Sequence, residues 1–349
     1  MSFINFIYEQ ELLEESTGEG SDIKGKLHEI LTGYHLLNGK HMIKHPDIDG
    51  DSPKQAHDKL KIKVLAQKNG KETYKKIYNR AKSTAEDLKK SLDTNGHEVH
   101  DVHWTSKPGD IKRSTGVEAS QKEDASDIMI HGKHKTDKNA QKITHYGVSL
   151  KVSDSGSHNV PVSNPGIESS YGGENILKKH RDEILAKYPA LKKLKNAEQR
   201  KQLMASNKTM NDKIREKNKK TLNDFGSHIH KKLKSMNHAE LVNHIKTHVL
   251  QTHETPLQKA GHFHIRHTTS TKGNQFYHHA IIPSRYYKEI FHPNNKQHLT
   301  VEQGVTRTGE PGSTLNFKFK GKTFASHRMK FNSQSDPLSS IKGSGTPVG

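Results

Sequence analysis

The 349-residue chain has no cysteine, one tryptophan and no apolar run near the ~18–20 residues that a membrane-spanning helix needs. The missing cysteine excludes disulfide scaffolds, cysteine-ligated zinc, iron–sulfur clusters and thiol nucleophiles. Apolar residues are scarce as well: hydrophobic types make up 30% and the mean hydropathy is −0.95. Part of the chain must therefore be solvated helix, linker or surface facing a polar partner. The opening Met1-Ser2-Phe3-Ile4-Asn5-Phe6-Ile7-Tyr8 is apolar but short, lacks a basic stretch and runs into acids, so it does not read as a signal peptide. These absences predict a soluble protein without a membrane partner, cytoplasmic by default.

Positive charge is in surplus. Lysine and arginine number 57 against 38 acids, a net +19 with histidine neutral. The pI near 9.7 points to a polyanion, and nucleic acid is favoured over membrane because no strongly amphipathic basic helix stands out. The competing explanation is lysine that merely aids solubility. The charge is uneven: Glu9 to Glu29 carries seven acids against Lys24 and Lys26, whereas Lys178 to Lys220 carries fifteen basic residues against five acids. Such asymmetry assigns different regions to different partners.

Periodicity predicts a first helix over 21–37, with Ile23, Leu27, Ile30, Leu31 and Tyr34 on one face, then helices over 52–67 and 72–92. Strand patterns follow at 98–104, 126–131 and 144–153, the last two as an antiparallel hairpin with a long polar loop. Residues 154–173 are rich in Gly, Ser, Asn and Pro and read as an irregular loop. Helix returns at 174–187, continues weakly to Lys220, and reappears at 238–252. The remainder reads as β, with pairs 261–269 with 275–283 and 314–320 with 324–331, and a polar tail after Asn332. This gives three parts in order: residues 1–175 with the chemistry, a basic helical segment 176–255, and a β-rich module 256–349.

One constellation carries chemistry. Asp127 opens a short apolar strand, and Ser149-Leu150-Lys151 lies within the next. Side chains alternate along a strand, so Ser149 and Lys151 share one face while Leu150 points into the core. Antiparallel pairing would set Asp127 beside Lys151, and Glu29 on the first helix could complete the group.

These residues resemble the PD-(D/E)xK nuclease superfamily. Ser126-Asp127 matches the "PD" element, Ser149-Leu150-Lys151 the "(D/E)xK" element, and Leu27-His28-Glu29-Ile30-Leu31 the acid-bearing helix. The similarity covers roughly residues 21–190. It implies an α/β (α+β) fold, a restriction-endonuclease-like mixed sheet flanked by helices. It also implies Mg²⁺- or Mn²⁺-dependent hydrolysis of DNA phosphodiesters, leaving a 5′-phosphate. A hard ion wants oxygen ligands; by family analogy these are the Asp127 carboxylate, the Leu150 carbonyl and Glu29, directly or through water. Lys151 would position the attacking water or stabilise the developing charge. The sequence departs from the pattern at Ser149, a poor Mg²⁺ ligand where the family has Asp or Glu; Asp154, Glu118 and Glu123 are candidate replacements. Glu29 also lies off the apolar stripe of its helix.

The basic regions suit double-stranded DNA. The C-terminal hairpin offers Lys318, Lys320, Lys322, Arg328 and Lys330 on its outward face, a basic ribbon that could track a backbone or enter a groove. The 27 histidines include His228-x-His230, His244-x-x-x-His248, His262-x-His264-x-x-His267 and His278-His279. No Glu stands between His244 and His248 in the His-Glu-x-x-His order, so a polar or polyanion-facing role outweighs a dedicated metal site. The alternative to a nuclease is a non-catalytic DNA-binding or virion- and packaging-associated protein with a degenerate nuclease fold. The cysteine-free, lysine-rich style fits a bacteriophage or bacterial source, with host cytoplasm or virion as the location. Oligomeric state stays open, a homodimer included.

Overall fold

The computed structural model describes residues 18–43, 50–105, 109–120, 123–136, 143–154, 156–162, 171–333 and 335–348. The opening apolar segment, the acids before Gly18 and much of the predicted 154–173 loop lie outside the described residues. The chain divides into two compact units, one within residues 1–158 and 254–283, the other within 159–253 and 284–349.

The first unit begins with helices α1 (Gly18–Leu36), α2 (Pro53–Leu65) and α3 (Gly70–Thr94). A capping box starts α2: Gln55 N–H donates to Ser52 Oγ at 3.2 Å, Ser52 N–H donates to Gln55 Oε1 at 2.9 Å, and Pro53 supplies a preset φ. Strands β1 (His97–Trp104), β2 (Ile128–His134) and β3 (Thr144–Ser153) form an antiparallel meander. Strand β4 (Phe263–Lys272) then pairs parallel with β3, and β5 (Gln275–Ile281) pairs antiparallel with β4 across the Gly273-Asn274 turn. The result is a mixed five-stranded sheet in the order β1-β2-β3-β4-β5.

Strand alternation sorts the side chains. Val102, Ile128, Ile130, Tyr146, Val148 and Leu150 point to one face and pack against Ile30 and Leu36 of α1 and Ala85, Leu88 and Leu92 of α3. On its other side α1 places Leu27 and Leu31 against Val64, Ile77 and Ala81 of α2 and α3. The opposite face of the sheet carries Asp101, His103, Asp127, His131, His145, Ser149, Lys151 and Arg266, and is covered around Met129 by Ile111, Ala119 and Leu257.

The parallel β3–β4 pair changes the expected linear division. Residues 263–281 were expected to belong with the C-terminal β-rich module, yet they complete the first sheet. A parallel neighbour needs a crossover connection, and here residues 159–253 of the second unit lie within that connection.

The second unit has helices α5 (Glu174–Lys187), α6 (Ala197–Ser206), α7 (Lys208–Ser235) and α8 (His238–His244), after the short α4 (Asp110–Thr115) of the first unit. Its antiparallel sheet runs β6 (Leu299–Val305), β7 (Pro311–Phe319), β8 (Lys322–Phe331) and β9 (Ile341–Pro347). Leu315, Phe317, Ala325 and Met329 are buried on its inner face, and Phe225, Ile229 and Leu233 are buried on α7, which packs against β7. Three expectations are corrected. The weak helix ending at Lys220 runs on to Ser235. The 238–252 helix stops at His244 and passes into a π turn over Ile245–Val249. The polar tail after Asn332 contains strand β9, whose seven residues pair with β8. Among the described residues, no helix is long and apolar enough to cross a membrane.

Candidate functional site

Backbone pairing fixes Asp127 at the entrance to β2. Its N–H donates to Val148 O at 2.9 Å, and its carbonyl accepts from Thr105 N at 3.2 Å. These bonds tie the residue to β3 on one side and to the end of β1 on the other. The carboxylate then turns toward β3, where Oδ2 accepts the Leu150 N–H at 2.6 Å and lies 3.7 Å from Lys151 Nζ. Both side chains are about a quarter exposed, 25% for Asp127 and 26% for Lys151. Solvent, and a charged ligand, can reach them.

Glu29 joins this pair from α1. Its Oε2 accepts the indole N–H of Trp104, the last residue of β1, at 3.1 Å. Burial and, after it, the nearby Asp127 charge push the Glu29 carboxyl up to about 8, against the pull of the Trp104 hydrogen bond and Lys151. Burial also raises Asp127, opposed by Lys151 and the Leu150 amide. Glu29 can reach the sheet because α1 turns two sides to the core, Leu27 and Leu31 toward the other helices and Ile30 and Leu36 toward the sheet. At 100° per residue, Glu29 lies about 20° around the helix from Leu36, which packs toward the sheet.

Ser149 shares the face of Lys151 and is 3% exposed. It sits in register with Arg266 of β4, which is 4% exposed. Where the PD-(D/E)xK pattern has an acid, this strand therefore presents a hydroxyl beside a buried guanidinium. The proposed replacement acids are engaged elsewhere. Asp154 pairs with Lys76 at 2.9 Å and Arg80 at 3.1 Å, Glu118 pairs with Lys112, and Glu123 accepts from Ser120 N and Oγ.

Sequence reasoning missed the layer behind Asp127. Asp124 is fully buried and accepts from the Ser126 hydroxyl, while His264 Nδ1 of β4 lies 3.1 Å from Asp124 Oδ1. Ser126 O accepts from Thr105 Oγ1 at 2.6 Å. This cluster clamps the Ser126-Asp127 peptide between β1 and β4. Gly147 makes room for it, since a Cβ there would collide with Ser126 Oγ. The adjacency of Asp124, Ser126 and Asp127 is visible in the sequence, but His264 requires the parallel β3–β4 register.

The C-terminal basic residues keep the predicted outward face in part. Inward Leu315 and Phe317 alternate with outward Asn316 and Lys318. Arg328 and Lys330 are half-buried on the outward side of β8. Lys318 pairs with Glu302 at 2.5 Å and Lys320 with Glu289 at 3.2 Å, so part of their charge is already compensated. Lys322 is exposed at the turn. Strand β9 adds Lys342 directly opposite Lys330. Like charges in that position repel each other unless an anion lies between them.

The histidine groups serve mostly as structure. His228 Nε2 lies 2.9 Å from Tyr171 O and His230 Nε2 3.3 Å from Val301 O. His244 Nε2 lies 2.5 Å from the buried Tyr171 hydroxyl, and its pKa is pushed down to about 3 by burial and by neighbouring His248. His267 bonds Asp87 at 2.9 Å, and His278 bonds Ser83 at 2.8 Å and Thr269 at 3.2 Å.

No family model, curated protein or solved structure matches the chain.

Proposed function

We propose that the chain is a metal-dependent nuclease that hydrolyses phosphodiester bonds of double-stranded DNA through a PD-(D/E)xK-type site with serine in place of the second acid. The convergence of Asp127, Lys151 and Glu29 carries this reading. The three stand far apart in the sequence, yet one ion pair of 3.7 Å and one carboxylate–carboxylate repulsion join them. A mixed sheet flanked by helices supports it too, with the acid-bearing helix, the Asp strand and the Lys strand in the superfamily's order.

The donor set fits Mg²⁺ or Mn²⁺. Burial raises the proton affinity of both carboxylates, and Asp127 raises that of Glu29 further; such a pair is a set of oxygen ligands short of a cation, and a hard divalent ion prefers oxygen. Asp127 and Glu29 would hold the ion, with the Leu150 carbonyl as the backbone ligand by family analogy. A bound ion supplies the charge that polarises the phosphate and lowers the pKa of the attacking water. Lys151 places a fixed cation beside Asp127, where negative charge develops on the phosphate. Trp104 donates to Glu29 Oε2, which leaves Oε1 to carry the proton that Glu29 holds at neutral pH. Ser149 and Arg266 make the strand less acidic than the superfamily pattern, which favours phosphate approach and weakens ion binding. The outward face of β7, β8 and β9 supplies salt-sensitive phosphate contacts through Arg328, Lys330 and Lys342.

Ser149 is also the observation that favours a second reading: a DNA-binding protein of virion or packaging type that does not cut. Supercoiled plasmid separates the two. The nuclease reading expects nicking with Mg²⁺ or Mn²⁺ that Asp127→Ala and Lys151→Ala abolish. Steeply salt-dependent binding without cleavage supports the second reading and overturns the first.

A further inference from the structure

We infer that Asp101, His103 and His131 form a second, distinct metal site, one that takes a borderline divalent ion such as Zn²⁺. The three residues offer one ligand atom each within 4.8 Å of one another. A β-bulge builds the site. Val99 and Val102 both pack toward the helix-covered core although they are three residues apart, and the register slips between Val99 and Asp101. The extra residue, His100, turns Asp101 onto the polar face with His103. Asp101 then stands directly opposite His131 on β2.

The distances favour a shared ion over hydrogen bonds alone. Asp101 Oδ2 lies 3.3 Å from His103 Nε2 and 3.7 Å from His131 Nδ1. The first is long and the second too long for an N–H···O bond. Both lie near the ~3.4 Å edge of a tetrahedron of ligands at about 2.0–2.1 Å from a zinc ion. Asp101 Oδ1 is buried without a hydrogen-bond partner among the described residues, so hydrogen bonding leaves the carboxylate incomplete. By contrast, Asp87 with His267 and His278 is joined by shorter hydrogen bonds, His267 to Asp87 at 2.9 Å and His278 to Ser83 at 2.8 Å and Thr269 at 3.2 Å.

The setting suits the chemistry. The side chains of His103 and His131 are 8% and 7% exposed, while Asp101 at 22% leaves a way in for the ion. His145 stands next in the row, its ring edge-on to that of His131 with centroids 4.6 Å apart. Imidazole and carboxylate together select zinc-like ions over Mg²⁺. Asp101, His103 and His131 fill three positions and water the fourth, an open site. Asp127 lies four residues along β2 from His131, about 13 Å at strand rise, so the two sites are separate.

Co²⁺ titration of the full-length protein tests the assignment, followed by displacement with Zn²⁺. One equivalent of Co²⁺ should give the visible d–d absorption of tetrahedral coordination, and Zn²⁺ should abolish it. Asp101→Asn and His131→Gln, with far-UV circular dichroism as the folding control, should each weaken binding about 100-fold or more, beyond the ~10–100-fold that loss of an outer partner costs. A wild-type chain with no tetrahedral band and no stoichiometric uptake overturns the site whether or not the variants fold. Equal binding by folded variants overturns it as well, because the ion would then sit on other histidines.

Discussion

Replacing Glu29 with glutamine should stabilise the first unit, and more so at alkaline pH. Glutamine keeps an acceptor for the Trp104 indole N–H while removing the titrating group. Glu29 ordinarily ionises near 4.5 and is pushed up to about 8, chiefly by burial and then by Asp127. Between those pH values the folded chain holds a proton that the unfolded chain has released. Stability from this group is therefore complete below pH 4.5 and declines as pH rises toward 8. At ~1.4 kcal/mol per unit the full shift corresponds to about 5 kcal/mol. Water and side-chain relaxation around a half-buried carboxyl reduce that to about 1–2 kcal/mol. For a unit of this size, such a gain raises the melting temperature by about 3–6 °C. Melting curves of wild type and Glu29→Gln at pH 5 and pH 8.5, without divalent ions, give the double difference. Histidines titrate in the same window but contribute equally to both proteins. The variant's advantage should be small at pH 5 and reach its full size at pH 8.5. An equal advantage at both pH values would refute the claim that Glu29 is held protonated beside Asp127.

Three further outcomes follow from the geometry. Ser149→Asp restores the acid of the superfamily pattern on the Lys151 face and should lower the Mg²⁺ concentration for half-maximal nicking about tenfold, about 1.4 kcal/mol; an unchanged Mg²⁺ dependence would place position 149 outside the ion's reach. Gly147→Ala forces a methyl group into Ser126 Oγ and to 3.0 Å from Leu257 Cδ2, and should cost about 1–3 kcal/mol, read by urea denaturation. Lys330→Ala with Lys342→Ala removes two cations from the outward face of β8 and β9 and should flatten the slope of log affinity for DNA against log salt by about 2, measured by fluorescence anisotropy; an unaltered slope would remove that face from the DNA interface.

Much of the fold was legible wherever the pattern was local. Thr144–Ser153 and Glu174–Lys187 lie where alternation and helical spacing put them, because each has a regular apolar period and clear flanking breakers. Strand β9 was not legible: Ile341-Lys342-Gly343-Ser344-Gly345 reads as a loop, and only pairing with β8 makes it extended. Gly343 belongs there because a Cβ would strike the His327 ring.

At the site, Asp127 and Lys151 were legible because strand alternation and hairpin pairing are short-range rules. Glu29 was legible only by resemblance. Its helix is buried on two sides, against α2 and α3 through Leu27 and Leu31 and against the sheet through Ile30 and Leu36. A single stripe could therefore not tell which sector faces the sheet. Arg266, His264 and the Asp101–His103–His131 cluster depended on the β3–β4 register and a one-residue bulge, which only the assembled sheet fixes.

In the proposed reaction Asp127 and Lys151 act together on a phosphodiester. Single-turnover cleavage of plasmid DNA measures this directly, with wild type, Asp127→Ala and Lys151→Ala compared at saturating protein, with Mg²⁺ and with a chelator. Wild type should nick only with the metal, and both variants should lose cleavage while each still binds DNA. Cleavage that survives in both variants, or that proceeds equally with the chelator, would contradict that reaction.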